Sequence, residues 1–323
     1  DFTVAYSGQD ITFTDNSLNP SSWSWDFGAD ANPANASLQG PHVVSYSTPG
    51  YKTVTLEVNG GGGIKTHTKT EYILVLPQET VPYTNDFESV DDKFASEAID
   101  GNINLWEKGI PSNEINTAHS GQNVWKTDLD ADVSIHGDDI DIHCGLYSPL
   151  FDFSREGTYY LKLRYRMEVA YLNAPMAVWI EYSTDKGNSW QRLGQDGYQH
   201  NWYNCGSDIS SDTYHLSAPD GICWSNSWSD YMLASYDLSS LSGHDNVAFK
   251  IITFVQGGWS GDAYQIDGFS VDDFEIEYSE QISVPYAEDF ETGDENYITY
   301  ELHSLDSEDS WKPATSALNK VGF

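Results

Sequence analysis

Apolar and polar residues alternate with a period of two through most of this chain, and stretches with the period of an amphipathic helix are almost absent. In the stretch 159–169, Leu161, Leu163, Tyr165, Met167 and Val169 share one face of an extended strand. Lys162, Arg164, Arg166 and Glu168 share the other. Val178, Ile180 and Tyr182 continue the inward set, Val247, Phe249 and Ile251 form another, and residues 264–278 supply a last long strand. Nearer the N-terminus, Phe2, Val4 and Tyr6 alternate, as do Ile11 with Phe13, and Trp23 with Trp25 and Phe27. Val54, Leu56 and Val58 oppose Thr53, Thr55 and Glu57. Turn chemistry punctuates these runs: "TPGY" at 48–51, four glycines at 60–63 and "TDKGNSW" at 184–190. The pattern predicts an all-β protein.

Strand lengths divide the chain. Residues 1–76 hold about seven short strands and read as a small sandwich. Residues 77–83 are polar, contain Pro77 and Pro82, show no periodicity and read as a linker. Residues 84–279, with long antiparallel strands, predict a double-sheet jelly roll. Val81, Pro82, Tyr83, Asp86, Phe87 and Glu88 then recur as Val284, Pro285, Tyr286, Asp289, Phe290 and Glu291, and Trp106 has a counterpart in Trp311. Residues 280–323 therefore read as the beginning of a second, incomplete jelly roll. A chain that starts at Asp1 and stops inside such a repeat reads as a piece of something larger.

Charge narrows the partners. Fifty acidic residues against fifteen basic ones give a formal net charge of −35. Such a field repels nucleic acid and anionic membrane surfaces and favours divalent cations. No stretch has the apolar length of a membrane span. Aromatics at 14% set the chain apart from disordered acidic sequences. Three cysteines exclude a disulfide-dense scaffold; Cys205 and Cys223 either pair, leaving Cys144, or all three stay thiols.

"WSWDFG" (23–28) and "VSYSTPGYKTVTLEV" (44–58) closely resemble the PKD domain, over roughly residues 1–76. The resemblance implies an immunoglobulin-like sandwich with Trp25 in its core, a tight turn at "DFG", and a non-catalytic spacer or binding role. "DFE" (86–88), "INTAHSGQNVWKTDL" (115–129), "LYSPLFDFS" (146–154), "IEYSTDKGNSW" (180–190) and "IDGFSVDDFEI" (266–276) resemble a jelly-roll module related to MAM and cleaved-adhesin domains. Such modules are common in proteins secreted by the type IX route, within surface adhesins or downstream of pappalysin-type metallopeptidase domains. The resemblance implies a secreted, cell-surface protein. The stretch 196–232 departs from the family pattern in being longer and more aromatic.

Candidate chemistry follows from these pieces. No G-x-S-x-G, H-E-x-x-H or Walker sequence occurs, so the expectation is no enzyme within this chain. His136, His143 and Cys144 with Asp138, Asp139 and Asp141 have zinc-ligand chemistry, but read better as a strand-connecting loop. Calcium is the cofactor the jelly-roll resemblance implies, held by Glu88 of the first strand with Asp272 or Asp273 of the last. Asp86, Asp100 and Asn102 are further candidate ligands, and residues 128–133 form a second acidic cluster. The alternative is that these acids cap turns or face solvent. Trp202, Tyr203, Trp224, Trp228 and Tyr231 lie among Asn, Ser and Asp, a composition that either stacks on sugars or packs a long loop onto a sandwich, with packing favoured. Lys162, Arg164 and Arg166 form a basic stripe facing either an acidic neighbouring domain or a ligand. The function expected is non-catalytic adhesion through a surface glycan or protein ligand. The rivals are an accessory region of a secreted metallopeptidase and a structural stalk.

Overall fold

The computed structural model describes residues 3–99, 103–133, 141–169, 176–194, 201–203, 223–225, 227–256 and 266–280. The first unit contains β1 (Thr3–Tyr6), β2 (Ile11–Phe13), β3 (Pro20–Asp26), β4 (Ala31–Asn32), β5 (Asn35–Ala36), β6 (His42–Tyr46), β7 (Gly50–Gly60) and β8 (Gly63–Leu76). One sheet runs β1-β8-β7-β3-β5 and the other β2-β6-β4. Ala5, Trp25, Phe27, Val54 and Ile73 from the first meet Phe13, Val44 and Tyr46 from the second in one apolar core. Trp25 is buried, donates its indole N–H to the Leu38 carbonyl at 3.1 Å and stacks on Phe27. The "DFG" turn closes when the Gly28 N–H donates to Asp26 Oδ1 at 2.9 Å. Gly28 sits at φ +86, and a Cβ there would lie 2.5 Å from the Thr53 carbonyl oxygen, so both conformation and space demand glycine.

Val4 and Tyr6 are buried, as their alternation predicts, but not in this core. They join Leu76, Ala95, Tyr147, Leu150 and Ala248 in a separate cluster between the two units. Parallel pairing of β1 with β8 turns Ala5 into the sandwich and leaves its neighbours facing outward, where the second unit covers them. Phe2 lies outside the described residues. The stretch read as a linker is docked too: β9 (Gln78–Glu79) pairs in parallel with β15 (Leu150–Phe151). The Tyr6 hydroxyl donates to the Ser148 carbonyl at 3.1 Å, Val4 N–H to Glu97 Oε2 at 2.8 Å, and Gln78 Nε2 to the Asp245 carbonyl at 2.6 Å. The hairpin loop at Gly187 packs so closely on the Tyr6 ring that a Cβ would sit 2.9 Å from it. The two units form a packed junction.

The second unit has two sheets. One runs β12 (Trp106–Gly109), β13 (Val124–Thr127), β21 (Ile266–Glu280), β16 (Gly157–Val169) and β19 (Met232–Asp237), with β10 (Tyr83–Asn85) also on β21. The other runs β11 (Ala95–Ala98), β14 (Ile142–Tyr147), β20 (Ala248–Val255), β17 (Met176–Ser183) and β18 (Gln191–Arg192). Leu161, Leu163, Tyr165 and Met167 of β16 face Val178 and Ile180 of β17 and Phe249 and Ile251 of β20 across the core. β10 runs antiparallel to β21, with Tyr83 opposite Ile276, so the unit's first and last strands lie side by side. No helix among the described residues is long and apolar enough to cross a membrane. The repeat at 284–323 lies outside the described residues.

Candidate functional site

Glu88 lies three residues past the end of β10 and reaches onto the loop 119–123. Its Oε1 accepts the Gln122 N–H at 2.8 Å and the Asn123 N–H at 2.6 Å, and its Oε2 accepts Asn123 Nδ2 at 3.0 Å. These donations, that of Asn123 first, hold the Glu88 carboxyl below its ordinary pKa. Gly121 sits at φ +56, a conformation that favours glycine, and a Cβ there would press on the Glu88 carboxyl and push it off these donors.

From β21, Asp272 Oδ2 accepts the His119 and Ser120 N–H groups at 2.9 and 3.0 Å. Asp273 accepts the Ser120 hydroxyl at 2.7 Å, and its Oδ2 lies 2.5 Å from His119 Nδ1. Burial, with the neighbouring Asp273 charge, pushes Asp272 up to about 6 despite those donors. Burial also opposes ionisation of Asp273, but the bonds from His119 and Ser120 outweigh it and hold its pKa below the ordinary value.

Glu88 and the Asp272–Asp273 pair thus converge on one loop from the two ends of the domain. The donors facing Glu88 Oε1 and Asp272 Oδ2 are N–H groups, whereas calcium needs oxygens. Among the described residues no three His, Cys, Asp or Glu side chains gather as a metal cage. Asp86 is exposed and caps its own turn by accepting the Glu88 N–H, while Asp100 and Asn102 lie outside the described residues. In the second acidic cluster, Asp128 Oδ1 caps its own turn by accepting the Asp130 and Ala131 N–H groups, and Asp132 accepts Asn113 Nδ2 from a distant segment. His136, Asp138 and Asp139 lie outside the described residues. His143 and Cys144 sit on β14, where Cys144 is a buried thiol.

The aromatic group has a different place from the one sugar stacking requires. Trp202 and Trp224 are 1% and 0% exposed, and Tyr231 is buried. Trp224 packs against Tyr165, Trp202 and Phe269, with its N–H donated to the Asn201 carbonyl at 3.1 Å. The Tyr203 hydroxyl donates to the Leu193 carbonyl at 2.7 Å, and the Tyr231 hydroxyl pairs with Ser270 Oγ at 2.7 Å. Tyr203 and Trp228 are partly buried against the same core. These rings therefore extend the core, and hydrogen bonds satisfy the polar tips of Trp202, Tyr203, Trp224 and Tyr231. Cys223, beside Trp224, is disulfide-bonded; Cys205 lies outside the described residues.

An open cavity of about 210 Å³ lies instead on the outward face of the β16–β21–β19 sheet. Lys162 and Arg164 of β16 form one wall, Glu275 and Glu277 of β21 the next, and His119, Asp273 and Leu233 complete it. Register places Lys162 opposite Glu275 on one side and Ser235 on the other, and Arg164 opposite Asp272 and Leu233. Lys162 is only 5% exposed and donates to Glu277 Oε1 at 2.8 Å. Glu277 Oε2 is buried without a protein hydrogen-bond partner. Burial, partly offset by Lys162, raises the Glu275 pKa. The basic stripe was visible in the sequence. The acids opposite it also carried a signal, since Asp273, Glu275 and Glu277 alternate with Phe274 and Ile276.

No family model matches the sequence, and no curated protein matches it. Among solved structures it is similar to the K1 cleaved adhesin domain of Lys-gingipain from Porphyromonas gingivalis W83, at 13% identity over 61% of this chain and 98% of that domain, TM-score 0.34. It is also similar to the CBM22-1 xylan-binding domain of Paenibacillus barcinonensis Xyn10C, at 9% identity over 62% of this chain and 95% of that one, TM-score 0.33. A third similarity is to a carbohydrate-binding module of the β-sandwich superfamily, at 13% identity over 85% and 94%, TM-score 0.30.

Proposed function

We propose that this chain is a non-catalytic adhesion segment of a secreted, cell-surface protein, and that it binds its ligand on the outward face of the β16–β21–β19 sheet. The observation that carries the reading is the cavity itself, where two rows of opposite charge meet over the buried Lys162 and the half-buried Glu277. Its ionisable groups are engaged with one another, Lys162 with Glu277 and His119 with Asp273, which suits recognition better than proton transfer. The first sandwich, fastened by its apolar junction, would present that face at a fixed angle. The same junction favours a second reading, a stalk in which the sandwiches act only as spacers.

Calcium belongs to this proposal. A cation between Glu88 and the Asp272–Asp273 pair would tie the first and last strands together. The convergence of Glu88 and the Asp272–Asp273 pair on the 119–123 loop supports this placement. To seat it, the 119–123 loop would have to turn carbonyl oxygens toward the acids in place of N–H groups. Screening the full chain against immobilised glycans and extracellular-matrix proteins tests the function: selective binding to either supports adhesion, and none to any supports the stalk.

A further inference from the structure

The walls of the sheet-face cavity restrict the chemistry of what enters it. Lys162 and Arg164 only donate hydrogen bonds, while Asp273, Glu275 and Glu277 accept them when ionised. A purely anionic ligand meets three carboxylates, and a purely cationic one meets a lysine and an arginine. Groups that donate and accept at once, as hydroxyls do, satisfy both rows.

Glu277 adds a specific demand. One of its oxygens is taken by Lys162 at 2.8 Å, while the other is buried and lacks a donor. An acceptor withdrawn from water without a partner is costly, and a ligand O–H would relieve it. Leu233 supplies an apolar surface beside these groups. The volume, about 210 Å³, lies below the ~300–1,000 Å³ of clefts that take drug-sized ligands, so a single ring suits it.

We infer that the cavity binds one neutral sugar ring, with its hydroxyls bridging Lys162 and Arg164 to Glu275 and Glu277 and a C–H face against Leu233. The inference rests on the adhesion reading and names the ligand class of that same face.

Titration calorimetry on the full chain tests it, using neutral, uronate-containing and amino-sugar oligosaccharides. The expected result is binding of a neutral saccharide, weakened about tenfold or more by Glu277→Gln, as loss of a hydrogen bond to a charged group predicts. Arg164→Gln, a change that leaves the Lys162–Glu277 pair in place, should weaken it as well. Raising sodium chloride from about 0.05 M to about 0.5 M should leave the affinity nearly unchanged, because the ligand carries no charge. Preference for uronate or amino sugars with steep salt dependence would overturn the neutral assignment. Unchanged affinity in both variants would overturn the site. Binding of a matrix protein but of no saccharide would sink this inference and leave the adhesion reading standing, whereas binding of nothing would sink both.

Discussion

Lys126 and Asp267 form an ion pair at 2.9 Å with both side chains fully buried, and replacing Lys126 by Met tests how the second sandwich is held together. The Lys126 ammonium also donates to the Asp128 carbonyl and, at 3.1 Å, to the Asp267 carbonyl, while Asp267 Oδ2 accepts the Ile115 N–H at 2.5 Å. Lys126→Met leaves a buried carboxylate without its counter-charge and should cost about 3–5 kcal/mol. Asp267→Leu strands the ammonium and the Ile115 N–H, and should cost a similar amount. In the double variant both charges are gone, and the main remaining loss is the acceptor for Ile115, about 1–3 kcal/mol. The double variant should therefore be more stable than the sum of the single effects implies, with a coupling of several kcal/mol. Urea denaturation read as midpoint at constant slope measures each value. Single losses below about 1 kcal/mol, or a double loss equal to their sum, would refute the assignment of this pair as a fastening of β13 and the segment around Ile115 to β21.

Other consequences are open to measurement. Trp224→Ala should destabilise the fold by about 3–5 kcal/mol, because it empties a fully buried site; an unchanged melting temperature would contradict the core assignment. Glu97 is held above its ordinary pKa, first by burial in the junction, with the Val4 N–H, Tyr147 and Lys250 opposing. An acid whose folded pKa is raised loses stability as pH rises through that value, so Glu97→Gln should gain on the wild type as pH rises above the ordinary carboxylate range, and a difference that stays flat with pH would refute this. If calcium seats at Glu88 and the Asp272–Asp273 pair, the melting temperature should rise with added calcium and fall with chelator. Glu88→Gln should abolish the shift, and a wild type indifferent to both would end the calcium proposal.

How far the sequence was legible depended on whether a feature was local. The inward set of β16 follows from period-two alternation alone, because one face of a sheet strand is buried whatever its partner. The same rule marks Val4 and Tyr6 as buried but is silent on what covers them, so the junction with the second sandwich emerged only from the structure. Trp202 and Trp224 could not be assigned from composition, since a buried tryptophan and a sugar-stacking one keep the same polar company. Lys126 and Asp267 lie 141 residues apart, and no local pattern joins them. The cavity needed register: the acids of β21 and the bases of β16 are each legible as outward-facing, but only their pairing places them around one hollow.

The most direct test of the central claim reverses the polarity of that hollow without removing its ion pair. Lys162→Glu combined with Glu277→Lys keeps the net charge and the opposing partners, so the sandwich should remain folded while the order of donors and acceptors is inverted. Equilibrium binding of this double variant and of the wild type to the ligand selected from the array should differ at least about tenfold in favour of the wild type. Equal affinity in a correctly folded variant would contradict the placement of the binding site on this face.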